Sequence, residues 1–149
     1  MKNFLFTLVF LLGVLSCNNS KNLSEVSYSK KTEHPGKVLM EKNCNVCHSP
    51  SASHDSRLAP PMIAVKKHYI NSETSKQEFI DALKAWIKNP NEEDAIMFGA
   101  VRRFGVMPRA DYSEETIEQI ADYIYERNIE QPTWFQKHFE NRKGKGKMN

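Results

Sequence analysis

Two cysteines stand three positions apart in the segment CNVCH, and a histidine directly follows the second. Cys44, Cys47 and His48 are residue types that carry redox, metal and covalent chemistry. Three arrangements share this spacing: a redox-active dithiol, half of a zinc site, and a covalent attachment point for haem. Each arrangement requires different residues elsewhere in the chain, so the rest of the sequence discriminates among them.

The first two arrangements lack their other half. A thioredoxin-like dithiol belongs to a unit of alternating strands and helices, which the sequence does not show. A structural zinc site needs four ligands, but there is no second cysteine pair, and His54 and His68 lie 14 residues apart. The haem interpretation requires only two thiols that add to vinyl groups and a histidine that binds iron. We therefore expect one covalently bound haem c at Cys44, Cys47 and His48.

Iron in such a site usually takes a second axial ligand from methionine or histidine. Met107, in the segment FGVMP, is the favoured ligand. Gly105 permits close approach of the backbone, and Pro108 stiffens the loop. Met97, in AIMFGA, is the alternative ligand, and the two histidines just named are weaker candidates in polar or basic surroundings.

The first 34 residues have the pattern of an exported, anchored chain. Lys2 precedes the apolar run FLFTLVFLLGVL, which is too short to span a bilayer but suits a signal peptide over residues 1–16. Residues 14–17, VLSC, at the end of this run, are similar to the lipobox of bacterial lipoproteins, which implies lipid attachment at Cys17. Residues 17–34 are polar and predict a flexible tether between membrane and domain.

The residues after the tether are enough for one domain with a modest core. Charge is unevenly distributed along them. Lys and Arg number five in residues 137–149, against Glu140 alone. We expect residues 131–149 to be a basic, disordered, solvated tail, although Trp134, Phe135 and Phe139 are also consistent with one amphipathic turn on the domain. Because the positive charge is terminal and the chain is expected to be exported, we expect no nucleic-acid partner.

Helical periodicity predicts an all-α fold. Ser75 and Glu78 form a possible capping box before a helix that ends at the Asn–Pro of residues 89–90. Ser113 is a suitable N-cap for a later helix. The buried stripe of that later helix is predicted to contain Ile117, Ile120, Ala121 and Ile124.

From Gly36 to Asn128 the chain resembles a small class I cytochrome c. Four motifs occur in the order typical of that family: PGKVLMEKNCNVCH, LAPPM, ALKAWIKNP and the Met–Pro loop before YSEETIEQIADYIYE. Ala59 stands where the family usually has glycine. The resemblance implies a cytochrome c-like domain over residues 35–130, with three to five helices around the haem. It also implies that the Pro60 carbonyl accepts the Nδ1–H of His48, and that Trp86 donates to a haem propionate.

These patterns together predict a mono-haem cytochrome that carries single electrons between membrane-associated redox partners outside the cytoplasm. Lipidated Cys17 would hold it on a membrane facing the periplasm or another extracytoplasmic space. We expect an electron-transfer protein rather than an enzyme, either a monomer or a subunit of a complex. Two alternatives stay open: a haem subunit of a larger oxidase or dehydrogenase, and a haem enzyme or gas sensor with a labile sixth ligand.

Overall fold

A computed structural model describes residues 33–146 of the chain. The expected signal peptide, Cys17 and nearly all of the tether lie outside these residues. Within the described part there are six helices and no strand, as the all-α prediction requires. They are α1 (Pro35–Asn43), α2 (Met62–Tyr69), α3 (Lys76–Lys88), α4 (Phe98–Phe104), α5 (Glu114–Glu126) and α6 (Phe135–Gly146). None of these six helices is long and apolar enough to cross a membrane.

Local sequence signals set the ends of the two longest helices, and these predictions are confirmed. Ser75 accepts a hydrogen bond from the Glu78 backbone, and the Glu78 carboxylate accepts one from the Ser75 backbone, which completes the capping box of α3. The same helix ends at Lys88, with Asn89 as its C-cap before Pro90. Ser113 caps α5 by accepting a hydrogen bond from the Thr116 backbone.

The core forms around α5, which packs against α1 on one side and α3 on the other. All four residues of the predicted α5 stripe are buried, each with no more than 1% of its surface exposed. From α3, the core receives Phe79, Leu83 and Ile87, which recur at helical spacing. Lys66 of α2 donates hydrogen bonds to the carbonyls of Tyr125 and Arg127, so it satisfies free acceptors at the end of α5.

A glycine permits the close crossing of α1 and α5. A Cβ atom added at Gly36 would lie 1.8 Å from the Gln119 carbonyl oxygen and 2.8 Å from the Tyr123 Cβ. These distances are far below van der Waals contact, so only a residue without a side chain fits here. Next to this crossing, His34 caps α1 through Nδ1 and contacts Asp122 of α5 through Nε2 at 3.1 Å.

The C-terminal segment is folded, which corrects the expectation of a disordered tail. It forms α6, and only 2% of the surface of Phe135, at the start of that helix, is exposed. The Phe135 ring stacks on Phe139 with centroids 5.6 Å apart, and Trp134 packs against the core. Burial of these aromatic side chains offsets the poor helix propensity of Gly144 and Gly146.

Substitution of Gly36 by alanine tests the helix crossing. We expect Gly36→Ala to lower the free energy of unfolding by at least about 2 kcal/mol, because the new methyl group must separate α1 from α5. Gly99→Ala is the matched control, since no atom lies within 4 Å of its added Cβ. It should be neutral or stabilise by up to about 1 kcal/mol. Denaturant titration followed by circular dichroism measures both values, and equal effects would contradict the close crossing.

Truncation of Phe135 tests whether the C-terminal segment belongs to the folded domain. We expect Phe135→Ala to cost about 3–5 kcal/mol of stability, the usual cost of removing a buried phenylalanine. Phe98→Ala is the control, because the Phe98 side chain is 69% exposed, and it should change stability by no more than about 0.5 kcal/mol. Thermal unfolding of the two variants under identical conditions gives the comparison. A neutral Phe135→Ala would contradict the packing of α6.

Candidate metal centre

The segment CNVCH forms a tight turn at the C-terminal end of α1. Cys44 is the C-cap of this helix, and its backbone N–H donates to the Met40 carbonyl at 2.8 Å. The Cys44 carbonyl in turn accepts hydrogen bonds from the backbones of Cys47 at 3.2 Å and His48 at 2.9 Å. The turn therefore brings two thiols and an imidazole together. Cys44 is half-buried against the core, Cys47 is exposed, and both are free thiols.

The imidazole of His48 is held by a short hydrogen bond. Its Nδ1 lies 2.6 Å from the carbonyl oxygen of Pro60, so the contact that the family resemblance implies is present. A carbonyl oxygen can only accept, so Nδ1 carries the proton. Nε2 of the neutral ring then keeps its lone pair, which is the form that binds a metal. Burial lowers the pKa of His48, which favours this neutral form, although the bond to Pro60 acts in the opposite direction.

The environment of Cys44 argues against a redox dithiol. Burial raises the pKa of its thiol to about 11. Catalytic dithiols have a depressed pKa, because the thiolate is the reactive form. In the part of the chain that the structure describes, neither cysteine belongs to a cluster of three or more metal-ligating side chains. A closed zinc site around this turn is therefore not supported either.

A cavity of about 500 Å³ lies beside Pro60, and its lining does not include Cys44, Cys47 or His48. Pro60 connects the cavity to the CNVCH turn, because it lines the cavity and its carbonyl holds the His48 ring. The opposite wall is α4 together with the residues just before it, and α6 closes another side. The lining is apolar and aromatic over much of its area, with cationic side chains from Arg57, Lys67, Arg103 and Arg142. Its volume is typical of a pocket for a small molecule or cofactor.

The structure places the two candidate methionine ligands differently. Met97, just before α4, lines the cavity, whereas Met107 does not, and both are half-buried against the core. Gly105 ends α4 with a φ of 79°, a left-handed conformation that favours glycine, and this turn leads the chain to Met107. The site thus has one methionine in the cavity wall and another in the following loop.

Trp86, proposed from the resemblance as a propionate donor, is half-buried on α3. It belongs neither to the cavity lining nor to the core cluster.

The two histidines considered as weak ligands lie in different surroundings. The His68 side chain lines the cavity, and its Nδ1–H donates to the Ala64 carbonyl at 2.8 Å. His54 instead packs on Trp134, with ring centroids 5.1 Å apart.

Sequence reasoning missed a cationic residue of the cavity. The guanidinium carbon of Arg57 lies 4.7 Å from the ring centroid of Trp134 and 5.4 Å from that of Phe104. No motif or spacing marks Arg57, because its ring partners are 77 and 47 positions away in the chain. Only the long-range packing of the C-terminal segment brings these residues together.

Comparison with known proteins supplies the remaining evidence. A protein-family model described as cytochrome c matches residues 34–127, more than half of the chain. This range contains all of α1 to α5 and the CNVCH turn, and it excludes α6. No curated protein and no solved structure matches the chain.

Proposed function

The chain belongs to the cytochrome c family, and we propose that it is a mono-haem carrier of single electrons between membrane-associated partners outside the cytoplasm. The cytochrome c family binds haem c covalently and uses its iron in electron transfer. The observation that carries the proposal is the 2.6 Å hydrogen bond between His48 and Pro60, directly after the paired cysteines. This bond leaves Nε2 of the imidazole free to bind a metal, close in sequence to the free thiols of Cys44 and Cys47.

The residues present fit such a group. His48 leaves Nε2 free, and the thiols of Cys44 and Cys47 are not paired in a disulfide. A cavity of about 500 Å³ with apolar walls and cationic side chains is linked to His48 by the Pro60 carbonyl, whereas His48 itself lies outside its lining. In addition, the Nη1 atom of Arg57 is buried without a hydrogen-bond partner among the described residues. A buried donor of this kind calls for an acceptor.

Haem supplies a one-electron couple between ferric and ferrous iron. In our proposal, Cys44 and Cys47 hold it through thioether bonds, and His48 binds the iron through Nε2. Met107 would also hold the iron through its sulfur, since Gly105 and Pro108 constrain the loop that carries it. The Pro60 carbonyl fixes the His48 tautomer and increases its basicity as a ligand.

Exposed apolar side chains near the CNVCH turn support transient docking of a redox partner. Val46, between the two cysteines, is 72% exposed, and Leu58, two residues before Pro60, is 70% exposed. Electron-transfer partners usually meet through small interfaces, which a patch of this kind suits. We propose that partners approach this edge, where Cys47 is also exposed.

The proposed location rests on the N-terminal sequence. Residues 1–16 would act as an export signal, and Cys17 would carry the lipid that anchors the mature chain. Residues 17–34 would then connect the anchor to the domain of residues 35–130. A tether of this length keeps the domain at high local concentration near membrane-bound partners, whether it acts alone or as a subunit of an oxidase or dehydrogenase.

One observation favours a second candidate, a haem enzyme or gas sensor with a labile sixth ligand. The cavity wall contains Met97 but not Met107. Met97 would therefore be a second candidate to hold the iron. If neither methionine binds the iron firmly, small molecules gain access to it.

Spectroscopy of the haem-loaded protein separates these candidates. We expect a low-spin ferric spectrum with a far-red charge-transfer band from methionine sulfur, and no carbon monoxide binding in the ferrous state. Met107→Ala should abolish the band and admit carbon monoxide, because it removes the proposed ligand. Met97→Ala is the matched control and should retain the band. Loss of the band only in Met97→Ala would transfer the ligand role to Met97, and a high-spin wild type would favour the enzyme or sensor.

Covalent attachment and lipidation are tested by serine substitutions. We expect haem to stay with the denatured wild-type chain in acidified organic solvent, since thioether bonds resist extraction. The double variant Cys44→Ser/Cys47→Ser should lose its haem completely, whereas Cys17→Ser should retain it. Cys17→Ser should instead move from the membrane fraction to the soluble fraction. Haem that is extracted from the wild type would contradict attachment, and an unchanged membrane fraction for Cys17→Ser would contradict the anchor.

A further inference from the structure

We propose that the cavity beside Pro60 binds a small organic acid, a molecule with an apolar body and one carboxylate, as a ligand separate from the haem. The cavity is lined by none of the residues to which we assign the haem, namely Cys44, Cys47, His48 and Met107. The proposed function therefore gives this cavity no occupant. The inference goes beyond that function and does not depend on it.

The walls of the cavity favour an apolar, partly aromatic ligand. Pro61 and Ala64 contribute aliphatic surface to the lining. Aromatic side chains come from α4, from α6 and from the residue before α6: Phe98, Phe104, Trp134, Phe135 and Phe139. The volume of about 500 Å³ is within the range of small-molecule sites, which are mostly apolar and contain a few polar groups that fix the orientation of the ligand.

The charges of the cavity favour an anionic ligand. Among the described residues that line it, four are Lys or Arg, two are histidines and none is acidic. Burial and the charge of Arg103 lower the pKa of Arg57, whereas Asp55, outside the lining, acts more weakly in the opposite direction. Burial together with nearby cations also lowers the pKa of His138. A negative group in the cavity would relieve this repulsion, which a neutral ligand would not.

Arg57 has a donor that lacks an acceptor. Its Nη1 atom is buried without a hydrogen-bond partner in the described part of the chain. Its guanidinium carbon lies 4.7 Å from the ring centroid of Trp134 and 5.4 Å from that of Phe104. A carboxylate would satisfy this donor, because arginine binds carboxylates through two parallel hydrogen bonds. The acidic group of the ligand is therefore placed at Arg57, and its apolar body beside the aromatic side chains.

The cavity is completed by a segment outside the family match. That match ends at residue 127, before Trp134 and α6. The indole N–H of Trp134 donates to the Ala52 carbonyl at 2.9 Å, which ties the segment to the loop that carries Arg57. Phe135, the next residue, is buried, so this part of the wall is packed in place. The site is thus formed where the C-terminal segment packs on the matched domain.

Calorimetric titration with naphthoate tests the site. Naphthoate has a flat apolar body and one carboxylate, and naphthamide is the matched control ligand, with the same body and no charge. The protein is the haem-loaded Cys17→Ser chain, because an attached lipid would itself take up an apolar probe. We expect one naphthoate site with an affinity at least about tenfold higher than that for naphthamide, owing to the charged hydrogen bonds. Absence of naphthoate binding, or equal binding of both compounds, would overturn the proposal.

Arg57→Met tests the position of the carboxylate. We expect this change to weaken naphthoate binding about tenfold or more and to leave naphthamide binding within about twofold. Arg102→Met is the matched control, since Arg102 also lies over an aromatic ring, Phe98 at 5.8 Å, but is exposed and outside the cavity lining. It should change either affinity by less than about twofold. Equal naphthoate affinities in the two variants would contradict the role of Arg57.

Ala100→Phe tests the position of the apolar body without removing a charge. Ala100 is half-buried and lines the cavity, so a larger side chain there reduces the space for a ligand. We expect naphthoate binding to weaken about tenfold or more. Ala85→Phe is its control, because Ala85 is exposed on α3 and outside the lining. If Arg57→Met does not fold, an unchanged affinity in Ala100→Phe overturns the proposal.

The outcomes for the haem and for the cavity are distinguishable. A chain that carries no covalent haem would contradict the proposed function, and the naphthoate titration of that chain still tests the cavity. Covalent haem without naphthoate binding would overturn only the cavity ligand. This second result is also expected if Met97 holds the iron and the haem itself occupies the cavity.

Discussion

The hydrogen bond from His48 to the Pro60 carbonyl is the interaction on which the site depends. It joins the turn at the end of α1 to the segment that begins α2, across a loop of 11 residues. Because a carbonyl can only accept, the bond defines which ring nitrogen is free. Pro60 also forms part of the cavity wall, so the same residue positions the imidazole and shapes the space beside it. One contact therefore sets both the chemistry and the location of the centre.

The walls of the cavity come from distant parts of the chain. Pro60, Pro61 and Ala64 come from the part that the family match covers, and so do three of the four cationic side chains, Arg57, Lys67 and Arg103. The fourth, Arg142, and several aromatic side chains come from α6 and the residue before it, which lie outside the match. The cavity therefore lies where the matched domain meets the C-terminal segment.

Local signals allowed much of the fold to be predicted. The capping box at Ser75, the stop at Asn89 and the N-cap at Ser113 all depend on residues within four positions of one another. The CNVCH turn is equally local. Arg57 and Trp134 were not predicted as a pair, because their contact spans 77 positions and neither residue carries a motif. The helix of the C-terminal segment was also missed, since its glycines and lysines suggest disorder and its stability comes from tertiary burial.

The crossing at Gly36 has a consequence for how the chain acquires its structure. It joins residues more than 80 positions apart, so almost the whole domain forms one loop that closes when α1 meets α5. Closing a loop of this length carries a large entropic cost, and contacts of high sequence separation form late in folding. The cysteine pair lies near the start of that loop and emerges early. The thiols therefore stay accessible until α5 packs against α1, so haem attachment, in the function that we propose, would precede this closure.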